Sequence, residues 1–140
     1  MTFFNAIKGA ILADYFGSSA TKMGTPIEIG LSTTEPNGDG TGITEPVGGS
    51  YARISVANTD AEWDLSVAGD SVENVNELQF PQATAGWGVI GWFVLYQSGT
   101  PKFFGPITNA AGDSTTKNVL TGDYFWFIVN ELKIQFPPVE

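Results

Sequence analysis

The most constraining feature of the sequence is an uncharged run of eight residues, Val89–Tyr96, which ends the stretch Phe80–Tyr96. Every residue of the run except Gly91 is of a type that favours strands. A continuous apolar run of this length, bounded by Gly and Pro, is typical of a strand that is covered on both faces. A helix is disfavoured because Gly86, Gly88 and Gly91 lie in or beside the run. We therefore predict that this run is the central strand of a β-sandwich.

Other short segments alternate between apolar and polar residues, as half-buried strands do. Examples are Ile27–Ser32 and Leu132–Phe136. The residues Gln97–Thr100 (QSGT) predict a hairpin loop directly after the central strand. In all, turn residues separate seven or eight short strands. This pattern predicts an all-β fold, an antiparallel β-sandwich over residues 27–136, in a single domain of residues 1–140.

One segment, Thr2–Phe16, has the periodicity of a helix, with Thr2 as its N-cap and Gly17 in the C′ position. We expect this short N-terminal helix to be retained, because it lacks the basic start and the cleavage motif of a signal peptide. Its apolar side must be covered either by its own sandwich or by a neighbouring subunit. The candidate contact residues on this side are Phe3, Phe4, Ile7 and Ile11.

Charge and residue types exclude several functions. The net charge of −9 opposes binding to nucleic acid and to anionic membranes, and no segment approaches the roughly 20 apolar residues of a membrane span. The chain has no Cys and no His, which excludes thiolate or imidazole catalysis and a zinc site of the usual ligands. Acid pairs such as Glu62 with Asp64 and Glu73 with Glu77 lie where solvated carboxylates are expected, not a glycosidase pair. We predict no catalytic residue and no cofactor.

A Gly-rich segment, Thr33–Ser50, which we call the long loop, separates two predicted strands. Within it, Asn37–Gly42 resembles the start of a calcium-binding loop. The twelfth position, Gly48, is however not the bidentate Glu that an EF-hand requires, so tight turns are favoured and no metal site is predicted. Loops of this length are typically functional or mobile, and we predict that this one is a second contact surface.

Three further residues are candidates for contact with a partner. Arg53 is the only arginine, and we expect it to form an ion pair that holds the long loop to the sheet. It shares a predicted strand face with Tyr51. Tyr51 and Trp63 lie in alternating segments and are expected to be partly open, whereas Trp92 and Trp126 lie in uncharged strands and are expected in the core.

The order of four segments resembles a known protein family. The segments are Ile29–Pro36 (IGLSTTEP), Gly48–Arg53 (GGSYAR), Phe80–Gly88 (FPQATAGWG) and Thr121–Asp123 (TGD). Their order and spacing resemble a family of small virion structural proteins of tailed bacteriophages, often labelled tail-fibre proteins, whose members also open with a short apolar helix. The resemblance spans nearly the whole chain.

The resemblance implies a non-enzymatic structural protein on the exterior of a virion, either of the tail-fibre type or a capsid decoration (cement) protein. The implied partners are other virion proteins, from the capsid or the tail, and further copies of the chain in a homo-oligomer. It implies no catalytic residue. The alternative from the residues themselves is a carbohydrate-binding module for a host surface glycan, in which Trp63 and Tyr51 stack on the sugar.

Overall fold

The computed structural model of the protein describes residues 5–18, 23–66 and 70–135. Within these ranges one helix, α1 (Asn5–Tyr15), precedes eleven short strands. The strands are β1 (Ile27–Ser32), β2 (Ile54–Val56), β3 (Trp63–Leu65), β4 (Ser71–Asn74), β5 (Leu78–Gln79), β6 (Gly88–Ile90), β7 (Trp92–Gln97), β8 (Thr100–Pro106), β9 (Lys117–Val119), β10 (Trp126–Phe127) and β11 (Lys133–Gln135).

All strand pairs are antiparallel, and they form four sheets. The largest sheet has the order β2-β1-β7-β8, a second has the order β11-β4-β3, and the pairs β10-β5 and β6-β9 complete the set. Buried side chains from these sheets share one core, which includes Ile29, Val72, Phe80, Leu95 and Leu132. The predicted all-β, sandwich-like antiparallel fold with one N-terminal helix is therefore confirmed.

β7 occupies the centre of the largest sheet, between β1 and β8. Phe93, Val94, Leu95 and Tyr96 are all buried, which confirms a strand covered on both faces. The shared core covers Phe93 and Leu95. The long loop covers the opposite face, where Pro36 and Ile43 lie beside Val94 around a small cavity. The hairpin loop predicted after this strand is also present, with Gln97 paired to Thr100.

The run Val89–Tyr96 is not one strand, because the chain changes partners at Gly91. Before it, β6 pairs with β9, and after it β7 pairs with β1 and β8. The Gly91 N–H donates to the Ser32 carbonyl at 3.2 Å, and the Gly91 carbonyl accepts from the Ile107 N–H at 2.9 Å. A residue without a Cβ suits such a bend between two sheets.

Three other predicted strands are shorter than expected. The strand count rises above seven or eight because the run Val89–Tyr96 and the predicted strand over residues 72–80 each divide in two, and because β9 is an additional strand. The predicted strand over residues 72–80 divides into β4 and β5, only β10 pairs within residues 124–129, and only β2 pairs within residues 51–56. The division after β4 has a clear cause. The side chain of the buried Asn74 donates to the Asn76 and Ile128 carbonyls at 2.8 and 2.9 Å, which turns the chain there.

α1 docks on its own sandwich through its C-terminal half. Leu12 and Phe16 are buried in the core, whereas Ile11 is 36% exposed. Gly17 has a φ of 99°, as the predicted C′ residue requires. The buried Asn58 fixes this end by accepting from the Gly17 N–H at 2.8 Å and donating to the Tyr15 carbonyl at 2.7 Å. The predicted N-cap Thr2 and the candidates Phe3 and Phe4 lie outside the described residues, as does the side chain of Ile7.

The long loop has an ordered hydrogen-bond pattern of its own. The Thr33 N–H donates to the Thr44 carbonyl at 3.0 Å, and the Thr44 N–H returns to the Ser32 hydroxyl at 3.0 Å. At its tip, the Asp39 carboxylate accepts from the N–H and hydroxyl of Thr41, at 3.0 and 2.6 Å. Hydrogen bonding by the Thr41 side chain lowers the pKa of Asp39. The described residues contain no group of three or more potential metal ligands.

Within the described ranges, no helix is both long enough and apolar enough to cross a membrane.

Candidate interaction surfaces

Three residues join the long loop to the largest sheet, and we call Glu45, Tyr51 and Arg53 the clasp. Glu45 Oε1 accepts from the Tyr51 hydroxyl at 2.8 Å and from Arg53 Nε at 3.0 Å. Glu45 Oε2 accepts from the Arg53 terminal nitrogen at 2.8 Å, which completes a bidentate ion pair. The Arg53 guanidinium also lies 3.6 Å from the centre of the Tyr96 ring. The predicted ion pair between Arg53 and the long loop is thus confirmed.

The clasp shifts the proton affinities of its members. Burial by itself would raise the pKa of Glu45, but hydrogen bonds from Arg53 and Tyr51 outweigh it and hold that pKa below its ordinary value. Burial, together with the neighbouring Glu45 carboxylate, raises the pKa of the Tyr51 hydroxyl. The hydrogen bond to Glu45 raises the pKa of Arg53. At neutral pH the pair is therefore fully charged.

Tyr51 is held by contacts of both its hydroxyl and its ring. Its hydroxyl accepts from the Leu31 N–H at 2.8 Å while it donates to Glu45. Its ring packs against Phe80 and Trp87, with ring centres 6.3 and 5.3 Å away. Tyr51 is partly open, as predicted, and its contacts connect the long loop, β1 and the core.

Trp63 is buried, with 3% of its surface exposed, so the expectation of a partly open ring is wrong. Its Nε1–H donates to the Ala57 carbonyl at 3.2 Å, and its ring packs 5.2 Å from that of Phe16. β3 is a strand, as predicted, but its burial does not alternate: α1 covers Trp63, whereas Asp64 and Leu65 are exposed. Trp63 cannot offer its ring to a sugar or to a partner in this conformation.

The exposed aromatic surface lies instead around β10. Phe125 and Phe127 point into the core. The residues that alternate with them point outward, and we call these three residues the outward row: Tyr124, Trp126 and Ile128. Their exposed fractions run from 40 to 51%. The expectation that Trp126 lies in the core is wrong, because β10 has only one covered face. The alternation around the two phenylalanines was present in the sequence and could have revealed this row.

Polar groups flank the outward row. Lys117 Nζ lies 5.5 Å from the centre of the Trp126 ring and donates to the Tyr124 carbonyl at 2.7 Å. Gln79, which is exposed, faces Trp126 in the register between β5 and β10. Among the described residues, β10 pairs with β5 alone, so its other edge has no strand partner.

A groove of about 970 Å³ lies beside the outward row. One wall is β8, a second is β11 with the turn before it, and α1 contributes Ile11 at a third side. Apolar side chains along the groove include Ile128, Val129 and Ile134. Lys102 stands exposed at the rim, and Lys133 pairs with Glu73 at 3.2 Å. Ile11 is the one helix candidate that the structure places on an accessible surface.

The comparisons with known proteins identify the family. A family described as podophage GP4 fiber I protein gp80 matches residues 2–135. The chain belongs to this podophage fibre family. A comparison with curated proteins finds no match. Membership confirms the resemblance to phage tail-fibre-type proteins, and a member of this fibre family is a structural component of the virion that interacts with other virion proteins.

The family match includes the three features described above. Residues 2–135 contain the outward row, the groove and the clasp. Several charged groups that line the groove have partners within the described residues. Glu73 pairs with Lys133, and the Glu131 carboxylate accepts from the Ile128 N–H at 3.0 Å.

Proposed function

We propose that the protein is a non-enzymatic, fibre-type component on the exterior of the phage particle, which contacts other virion proteins and further copies of itself. The observation that carries this proposal is the outward row, which exposes Tyr124 and Trp126 at an unpaired strand edge. Tyr and Trp are the residue types most enriched among the energetically dominant contacts of protein interfaces. The family description supports the fibre role over the capsid-decoration role.

The outward row can form only the centre of a protein–protein interface, because its exposed area is smaller than that of a standard interface. A standard interface buries about 800 Å² on each partner. The exposed parts of three large side chains supply roughly 250 Å². The remainder has to come from neighbouring surface, for which Leu120 and Val129, both more than half exposed, are the nearest apolar additions along the chain.

The place of the protein in the particle can be tested by immunogold labelling of intact virions in the electron microscope. We expect label confined to fibres or to the tail. Label spread evenly over the heads would contradict the fibre role and favour a decoration protein. Mass spectrometry of purified particles provides the control, because it detects the protein even where antibodies cannot reach it.

Self-association can be tested separately by light scattering of the purified protein. We expect an oligomer whose mass falls toward that of one chain in the Trp126→Ser variant. The matched control is Leu65→Ser, which changes an apolar residue of similar exposure (39% against 44% for Trp126) on β3, outside the row. An unchanged mass in Trp126→Ser, or a monomeric parent protein, would contradict self-association through this row.

The second candidate function is binding of a host surface glycan. It is favoured by one observation: Trp126 is 44% exposed and has the Gln79 side chain opposite it, so a ring face and an amide are available together. Glycan-array binding that saturates and is lost in Trp126→Ala, in a variant of unchanged oligomeric mass, would support this function. Binding that survives the substitution would exclude this site.

A further inference from the structure

The tip of the long loop carries two neighbouring residues that can react with each other, Asn37 and Gly38. At no other position of the sequence does a glycine follow an asparagine. This residue pair is common in tight turns, and the chain does turn here, where the Gly40 N–H donates to the Asn37 carbonyl at 3.0 Å. Both residues of the pair are exposed, so the turn leaves the side-chain amide of Asn37 in contact with water.

The backbone nitrogen of Gly38 is available as a nucleophile. Among the residues that the structure describes, no acceptor for the Gly38 N–H is present, so solvent base can take its proton. A Cβ built on Gly38 would meet no atom within 4 Å, which means that neighbouring side chains do not crowd this residue. A glycine also adopts more backbone conformations than other residues and brings no side chain that would hinder the approach of its nitrogen to Asn37 Cγ.

The side chain of Asn37 is held only by exposed contacts. Its Nδ2 donates to the Thr41 hydroxyl at 3.1 Å. Two backbone hydrogen bonds complete the tip, one from the Asn37 N–H to the Thr41 carbonyl at 2.8 Å and the other from the Gly40 N–H to Asn37. Breaking one exposed hydrogen bond slows a reaction by about fivefold. Even a reaction that breaks all three is therefore only about a hundredfold slower in the folded protein than in an unfolded peptide.

Other residues that could react in the same way are better protected. Asn58 and Asn74 are buried, and the side chain of each donates to two backbone carbonyls. Asn109 is exposed, but its Oδ1 accepts from two N–H groups of its own turn, and an alanine follows it. Asp39 precedes a glycine, yet its carboxylate is ionised at neutral pH and accepts two hydrogen bonds from Thr41. A carboxylate anion is a poorer electrophile than an amide.

We propose that Asn37 is a site of spontaneous deamidation, with water as the co-reactant. The Gly38 nitrogen loses its proton to solvent base and forms a bond to Asn37 Cγ. The bond between Cγ and Nδ2 breaks, and Nδ2 leaves as ammonia after taking up one proton, which balances the proton that Gly38 lost. Water then opens the resulting succinimide. Addition of water at Cγ leaves an ordinary aspartate, whereas addition at the former main-chain carbonyl carbon leaves an isoaspartate.

The two products differ in their effect on the long loop. Both add a negative charge beside Asp39. In isoaspartate the main chain also runs through Cβ and Cγ, so that it gains one atom, and the carbonyl that accepts from the Gly40 N–H becomes a free carboxylate. The turn cannot keep its register after this change. We therefore expect isoaspartate to loosen the part of the long loop that lies beside Val94, while the clasp still holds the other end.

The first test is peptide mapping by mass spectrometry after incubation of the purified protein at mildly alkaline pH. We expect a mass increase of about 1 Da at Asn37, faster than at Asn109 and faster still as the pH rises, because Gly38 has to lose a proton. The rate should lie within about a hundredfold of that of a synthetic peptide of residues 33–42. No change at Asn37, or equal rates at Asn37 and Asn109, would overturn the proposal.

Two matched glycine substitutions test the role of the neighbour. Gly38→Ala adds a Cβ in open space, so the fold should be retained, yet deamidation of Asn37 should slow at least about tenfold because the nitrogen is hindered. Gly86→Ala adds a Cβ outside the long loop at an ordinary contact distance of 3.6 Å and should leave the rate unchanged. Equal rates in these two variants would contradict attack by the Gly38 nitrogen. Circular dichroism and thermal melts confirm that each variant is folded.

The second test follows the consequence for the long loop and does not depend on where the protein lies in the particle. Limited proteolysis compares fresh protein, the isoaspartate fraction separated by ion exchange, and fresh Asn37→Asp. The Asn37→Asp variant has the new charge on an ordinary main chain. We expect faster cleavage between residues 33 and 50 in the isoaspartate fraction alone. Equal cleavage of all three samples, or equally fast cleavage of Asn37→Asp, would overturn the loosening by the lengthened main chain.

Discussion

At the scale of single residues, the attachment of the long loop depends on close approach at one glycine. A Cβ on Gly30 would lie 2.5 Å from Glu45 Oε1 and 3.0 Å from Tyr96 Cε2. Glu45, Tyr51 and Tyr96 therefore reach their positions only because this residue of β1 has no side chain. The clasp therefore depends on Gly30, which has no side chain to displace Glu45.

Gly30→Ala is expected to displace Glu45 and lower the free energy of unfolding by about 2 kcal/mol, the usual cost of overpacking a close contact. Urea denaturation measures the change. The control is Gly38→Ala in the long loop, where a Cβ would meet nothing within 4 Å. That substitution should be neutral or slightly stabilising, since it restricts the unfolded chain. Equal losses in both variants would contradict the role of Gly30.

Glu45→Gln is expected to lower the free energy of unfolding by about 2 kcal/mol at pH 7, because it removes a charged hydrogen-bond acceptor. The folded protein holds the pKa of Glu45 below its ordinary value of 4.5, so Glu45 stabilises the fold above that pH. This contribution is lost as the pH falls through the lowered pKa. The difference between parent and variant should therefore shrink below pH 4.5, as urea denaturation across pH 2–8 can show. The control is Glu35→Gln, an exposed acid of the same loop, which should change the free energy of unfolding at pH 7 by less than about 0.5 kcal/mol.

At the scale of elements, the long loop is a covering layer for β7 as well as a connection. Its internal hydrogen bonds shape it, and the clasp fixes it over Gly30 and Val94. Helix α1 likewise has two roles, since Leu12 and Phe16 complete the core while Ile11 borders the groove. Removing the whole helix would therefore expose core residues, so single substitutions are the better probes of its contacts.

Arg53→Ala should release the long loop, which limited proteolysis detects as faster cleavage between residues 33 and 50. Arg53→Lys should restore little, because an ammonium cannot form the bidentate pair with Glu45 or stack on Tyr96 in the same way. An unchanged cleavage rate in Arg53→Ala would show that the internal hydrogen bonds hold the loop without the clasp.

The two sides of α1 should respond differently to substitution. Leu12→Ala is expected to cost about 3 kcal/mol of stability, as for other buried leucines. Ile11→Glu should change the melting temperature little, because this side chain is already partly exposed, yet reduce incorporation into particles. Thermal melts and quantitative blots of purified particles measure the two effects. Normal incorporation of Ile11→Glu would remove Ile11 from the contact surface.

At the scale of the whole molecule, a net charge of −9 opposes the self-association proposed for the outward row. Repulsion between like-charged copies weakens when salt shortens the Debye length, to about 10 Å at 0.1 M. The average mass from light scattering should therefore rise between 20 and 300 mM NaCl, conditions chosen to span this range. A mass that falls with salt would indicate that ion pairs, and not apolar contacts, hold the copies together.

Local patterns in the sequence were sufficient to predict the architecture but not the surface. The buried strand β7, the hairpin after it and the Arg53 ion pair follow from a continuous apolar run, from turn residues and from the presence of a single arginine. The burial of Trp63 and the exposure of Trp126 depend on which element covers each strand. Tertiary packing decides this coverage. Helix α1 packs over Trp63, but it does not cover Trp126. The groove likewise exists only because β8 and β11, distant in sequence, end side by side.

The chain runs directly from the β6–β9 sheet into the largest sheet over Gly88–Gln97. This continuity has a mechanical consequence. Sheets joined only by slack loops can slide past one another once their side-chain contacts yield. Here a shearing force between these two sheets acts along the covalent backbone at Gly91, and one sheet cannot move without stretching this segment or unpairing β6 or β7. In a member of a phage fibre family, such a continuous segment can carry tension from one sheet to the other.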